Sequence, residues 1–166
     1  ELTRMLPRSP LSSPLLAAAS TIFVGGLAVS LPFLDTGTRL MGVGLVAMAL
    51  WLARYDIARR TIRQTGLTRY IAASLLAGYV WMLVAGLLAI SFGAVTAGPR
   101  YDALLHSIFL GFVMSMIFAH APIILPAVTG PAVPYQPPFY AQLLLLHTTP
   151  PPPLANHLLR WLARRP

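Results

Sequence analysis

Two histidines, His106 and His120, stand 14 residues apart in a stretch, Ala103 to Val128, that carries no other ionisable side chain. Imidazole suits haem iron and copper, and an ionisable group set in apolar sequence is costly unless something uses it. On an ideal helix the two rings fall within about 40° of each other around the axis and about 21 Å apart along it. They share a face but cannot bind one metal together. The chemistry to expect is an axial haem or metal ligand at either ring, or two stations on a proton path. The plainer alternative is a satisfied polar residue: His106 hydrogen-bonded near lipid headgroups, His120 bonded to a neighbouring helix.

Pro122 and Pro126 follow His120 closely. Each removes a backbone donor and displaces a carbonyl one turn back, so the pair reads as a helix hinge beside the imidazole. His147 borders the run Leu143–Leu146 and could fold back on the rest as a third metal ligand; His157 lies in a basic tail. Met114 and Met116 are soft donors by chemistry, but methionine in an apolar span is ordinarily packing. Gly111 and Ser115, four apart, suit close helix contact. Asp56 is expected to pair with a neighbouring arginine, and Asp102 to cap the helix that carries His106. Gly42 and Gly44 lack the strand and third glycine that a nucleotide loop requires. No nucleophile–base pair, phosphate loop or paired carboxylates occur, so hydrolysis and phosphoryl transfer have no candidate residues.

The elements that must hold these groups follow from composition. Of 166 residues, 57% are hydrophobic and 10% charged, against about 25% charged in an average soluble domain. Mean hydropathy is +0.71. A soluble enzyme, a disordered regulator and a nucleic-acid-binding domain fit poorly. There is no cysteine, which excludes disulfides and thiolate metal sites. All twelve basic residues are arginine, and the net charge is +8. The chain starts at Glu1, and reads as a fragment or a processed protein.

Apolar blocks predict an all-α, multi-pass transmembrane helical bundle with about four spans, near residues 15–34, 37–53, 70–95 and 103–128. Ala28-Val29-Ser30 after a basic start also allows a signal peptide, but the block is long and further spans follow. Short polar turns are expected at Asp35–Arg39 and Arg100–Asp102. Ala85, Ala89 and Gly93 recur every four residues and form a small-residue stripe for helix packing. Residues 1–128 read as the bundle. Residues 129–166 read as a Pro-rich connector and basic tail, in which Pro150–Pro153 stop any full fifth span and Leu158–Leu162 suit a surface helix.

Charge sets the orientation. With four spans, ten arginines flank one side and two, Arg39 and Arg100, the other. The positive-inside rule then puts both termini in the cytoplasm of an inner-membrane protein. The loop bearing Arg54, Arg59, Arg60, Arg63 and Arg69 would meet the bilayer's anionic headgroups or simply hold the topology.

Ala103-Leu-Leu-His106, Gly111 five residues on, and the Met-rich run to His120 resemble part of the NnrS-like polytopic membrane proteins. His120-Ala-Pro122-Ile-Ile-Leu-Pro126 is similar to a block in proteins related to them. The resemblance covers about residues 100–147. It implies a fold like haem–copper oxidase membrane subunits, association with haem or copper, and a place in nitrogen-oxide or respiratory metabolism, with His106 and His120 as cofactor ligands. That family has many more spans, and its histidine spacing is not reproduced cleanly. Two other readings stand beside it. One is a non-catalytic subunit or assembly partner packing against other membrane chains. The other is a transporter fragment, which the lack of an internal repeat disfavours.

Overall fold

The computed structural model describes residues 11–130, 136 and 138–148. It is all helical; among the described residues there is no strand. The helices are α1 (Ser12–Ser30), α2 (Leu34–Tyr55), α3 (Ala58–Thr61), α4 (Gly66–Phe92), α5 (Pro99–His106), α6 (Met114–Thr129) and α7 (Phe139–Thr148). A π-helical segment, Ser107–Val113, joins α5 to α6 without a break, giving one rod from Pro99 to Thr129. Four elements, α1, α2, α4 and this rod, are long and apolar enough to cross a membrane. The amphipathic tail expected at Leu158–Leu162, with His157, lies outside the described residues.

Packing runs in a row: α1 on α2, α2 on α4, α4 on the rod. Beside Tyr70, Tyr79 and Met82, the interior is made mostly of small side chains. Ala49, Ala72, Ala85, Ala89 and Ala119 are buried, as are Ser74 and Ser115. Leu27, Leu50, Leu87, Phe109, Ile117 and Ile124 point outward instead. This inverts the soluble pattern and suits helices that meet through backbone proximity, with apolar bulk left to lipid. Glycines on α2 serve both neighbours. A Cβ on Gly44 would lie 2.7 Å from Phe23 Cα of α1, and one on Gly42 2.7 Å from the Gly86 carbonyl of α4. The stripe read at Ala85 and Ala89 is buried, but the closest backbone approach falls one residue away, at Gly86.

Three boundaries differ from the sequence reading. The first turn is Leu31–Phe33, and Asp35–Arg39 forms the opening of α2 rather than a loop. An acid there faces the positive helix end, and its i,i+4 partner completes a salt bridge of 2.8 Å. Arg39 also donates to the Ile90 carbonyl, while Asp35 accepts from the Ala94 amide. The pair thus fastens the start of α2 to the end of α4. Gly93 lies under it at φ +63°, where a side chain would be strained and would strike Asp35. Likewise Arg100–Asp102 is helical, because Pro99 starts α5 at its preferred first position. Asp102 therefore sits inside the first turn, and no side chain caps α5.

The third difference concerns irregularity. Pro122 and Pro126 lie within α6, which continues to Thr129. The wide turns come earlier, at Ser107–Val113, where Gly111 packs closely against the Trp81 side chain of α4. Serines bracket the segment: Ser107 donates to the Ala103 carbonyl and Ser115 to the Gly111 carbonyl at 2.6 Å. These hydroxyls satisfy backbone acceptors that a change of helix type disturbs. Because the segment falls between His106 and His120, ideal-helix phase does not carry from one to the other. His106 is half-buried; His120 is exposed.

Candidate functional site

The three described histidines separate by tautomer. His106 Nδ1 lies 2.6 Å from the carbonyl oxygen of Asp102, and His120 Nδ1 lies 2.7 Å from that of Met116. A carbonyl only accepts, so in both rings Nδ1 carries the proton and a neutral ring leaves its lone pair on Nε2. His147 is the reverse. The Trp81 indole N–H, which can only donate, reaches His147 Nδ1 at 2.7 Å. Its proton is therefore on Nε2, which faces Ser115 Oγ at 3.4 Å. Trp81, His147, Ser115 and the Gly111 carbonyl form one directional chain ending on the π segment.

The two arrangements have different chemical capacity. His106 and His120 each keep Nε2 available, and a backbone acceptor on the opposite nitrogen is how metal-bound imidazoles are usually oriented. His120 opens onto an apolar groove of about 450 Å³ along its own helix, lined by Phe112, Met116, Ile117 and Ile124 among others. His147 does fold back onto the bundle, as the sequence allowed, but not as a ligand beside the other two. Both of its ring nitrogens are engaged. Its ring stacks on Trp81 with centroids 6.0 Å apart and planes 17° from parallel. Among the described residues no group of three or more His, Asp or Glu gathers in a way that could hold a metal. Met116 turns toward Gly78 and the core rather than toward an imidazole.

What places His147 there is α7. At its start, Phe139 and Tyr140 pack on the Tyr70 ring at 5.6 and 5.5 Å. At its end, His147 meets Trp81. The helix therefore runs alongside α4 in the same direction and stops part-way up. Its ten residues rise about 15 Å, half of a membrane crossing. Sequence reasoning found His147 but not Trp81 as its partner; the available signal was a tryptophan in the middle of an apolar helix, whose N–H needs an acceptor.

A second polar contact lies at the other side of α4. The Tyr79 hydroxyl donates to the Asp56 carboxylate, and the Ala58 amide donates to it at 3.4 Å. The arginine partner expected for Asp56 is not the one it has. Tyr79 is buried, α3 packs on α4, and Asp56 turns inward to meet both. Outside, Arg54, Arg59, Arg60, Arg63 and Arg69 are all exposed.

No curated protein and no solved structure matches the chain. Residues 1–152 match the model of a family described as a domain of unknown function, DUF8744, and the chain belongs to that family.

Proposed function

We propose that this chain is an integral inner-membrane protein whose bundle serves as a non-catalytic membrane subunit, with both termini in the cytoplasm. One observation carries the reading: the polar side chains at helix ends and between helices fasten elements to one another. Asp35 and Arg39 tie α2 to α4, Asp56 and Tyr79 tie the arginine loop to α4, and His147, Trp81 and Ser115 tie α7 to α4 and α6. Such groups are tuned to hold a shape, and the outward apolar faces are left for lipid or other membrane chains. Orientation rests on the ten-to-two arginine distribution. Alkaline phosphatase fused after Arg63 is expected to be inactive and a green fluorescent reporter there bright. The opposite pattern would reverse the orientation.

A second reading follows from the His120 ring. Its open Nε2 above an apolar groove could supply one ligand to a haem or a copper ion, as the NnrS-like resemblance implies; His106 has the same tautomer. A bound haem would supply redox or gas-binding chemistry in respiratory or nitrogen-oxide metabolism. The chain's part would be to orient the imidazole through the Met116 carbonyl and to exclude water along the groove. Oxidised and reduced spectra of the purified protein, with metal analysis, test this directly. A stoichiometric Soret band that His120→Ala abolishes would establish the reading. Metal-free protein without a Soret band after expression with added haem would end it.

A further inference from the structure

We infer that the loop between α2 and α4 is a built binding surface for anionic phospholipid, and that Tyr79 creates it by withdrawing the loop's only carboxylate. The inference deepens the topology proposed above, since it requires this loop to face a lipid leaflet. Its residues divide cleanly by direction. Ala58 is fully buried, Ile62 packs against the Ala58–Ala72–Tyr79 cluster, and Asp56 turns in toward the Tyr79 hydroxyl and the Ala58 amide. All five arginines remain outside.

A loop held only to retain topology would need charge alone, free to pair within itself. Here Asp56 is the one acid among residues 54–69, and it lies two to four residues from three arginines, Arg54, Arg59 and Arg60. Yet among the described residues the sole ion pair is Arg39–Asp35, far from this loop. Arg54 lies over the Tyr55 ring, and Arg59 reaches the Arg54 carbonyl at 3.3 Å. Both contacts engage the guanidinium groups themselves, with a ring face and a carbonyl, and neither brings a counter-charge to them. The platform is therefore held in place on its inner side and uncompensated on its outer side. Guanidinium forks match phosphate oxygens in pairs, so phosphate headgroups are the partner this chemistry recognises. The exposed apolar side chains on the adjoining helices, Leu50 among them, suit the acyl chains that accompany a headgroup.

The test uses native mass spectrometry of the full-length protein in detergent, titrated with phosphatidylglycerol, phosphatidylcholine or inorganic phosphate. Retained phosphatidylglycerol adducts are expected, without comparable retention of the other two. Arg59→Gln with Arg60→Gln should weaken them about fivefold per charge removed. Tyr79→Phe is the discriminating variant. It frees Asp56 to pair with arginine and should cut retention severalfold although no basic residue has changed; adding Asp56→Asn should restore it. Equal retention of both lipids, or tight binding of free phosphate alone, overturns the lipid assignment. Unchanged retention in Tyr79→Phe overturns the role of Tyr79. An inverted reporter pattern, measured separately, would instead overturn the topology on which both rest.

Discussion

Gly86→Ala should destabilise the bundle by about 1–3 kcal/mol, the range for adding a methyl where there is no room for it, whereas Gly25→Ala should leave it unchanged or slightly more stable. The two substitutions are chemically identical and both lie in apolar helices. They differ in what the new methyl meets. At Gly86 it would sit 2.8 Å from the Gly42 carbonyl oxygen and 2.8 Å from Val46 Cγ2, with the Val46 nitrogen at 3.0 Å. Two of those atoms are backbone, which cannot rotate away, so α2 must move off α4. At Gly25 nothing lies within 4 Å. There the only effect is the better helix propensity of alanine, at most about 1 kcal/mol.

The displacement at Gly86 would not stay local. Helices in lipid gain no hydrophobic attraction for each other, so their contact depends on backbone proximity and dispersion. Moving α2 outward also stretches the Arg39 contact with the Ile90 carbonyl and the Asp35 contact with the Ala94 amide. Thermal unfolding followed by circular dichroism in one detergent should therefore show a lower midpoint for Gly86→Ala. Equal midpoints for the two variants would mean that the α2–α4 seam adjusts freely, and that the small-residue interior does not hold the fold together.

Much of this architecture was legible before any coordinates. Long runs without charge must be satisfied internally as helices, so their number and order could be read directly. Their ends were less legible, because a polar residue such as Asp35 is equally at home in a loop and in the first turn of a helix. Only Arg39 four residues on, and the Ala94 amide some sixty residues away, decide between the two. Asp56 shows the same limit: five nearby arginines make the obvious partner, and the long-range contact with Tyr79 wins because burying the phenol demands an acceptor. The π segment had no compositional sign at all, while the prolines at 122 and 126, visible in the sequence, lie within a helix that continues to Thr129. For the histidines, spacing showed that His106 and His120 could not share a metal. It could not show that His147 carries the opposite tautomer, since that depends on Trp81, 66 residues away in the chain.

That tautomer makes the docking of α7 sensitive to pH. Trp81 can bond only an unprotonated Nδ1, and burial alone pulls the His147 imidazole below its ordinary value of 6.5. Among the described residues no carboxylate or arginine shifts the ring, and the titratable groups closest in sequence to its partners Trp81 and Ser115, Tyr79 and His120, are turned to Asp56 and to the Met116 carbonyl. The sign follows. Above about pH 6.5 the imidazole is neutral whether α7 is docked or not, and docking has its full strength. As pH falls below that value the undocked imidazole takes up a proton that the docked one resists, so docking weakens progressively. Hydrogen exchange of the α7 amides should thus accelerate, relative to those of α4, as pH is lowered from 7.5 toward roughly 5, after correction for intrinsic rates. His147→Phe retains the stack on Trp81 and removes the acceptor. It should cost docking about 1 kcal/mol, the low end of the range for leaving a donor unpaired, because the Trp81 N–H is only part-buried. Its α7 should exchange faster at neutral pH and show no further acid dependence. If wild-type α7 exchanges at a constant corrected rate across this range, the Trp81–His147 bond does not govern its docking, and the aromatic cluster of Tyr70, Phe139 and Tyr140 must hold it instead.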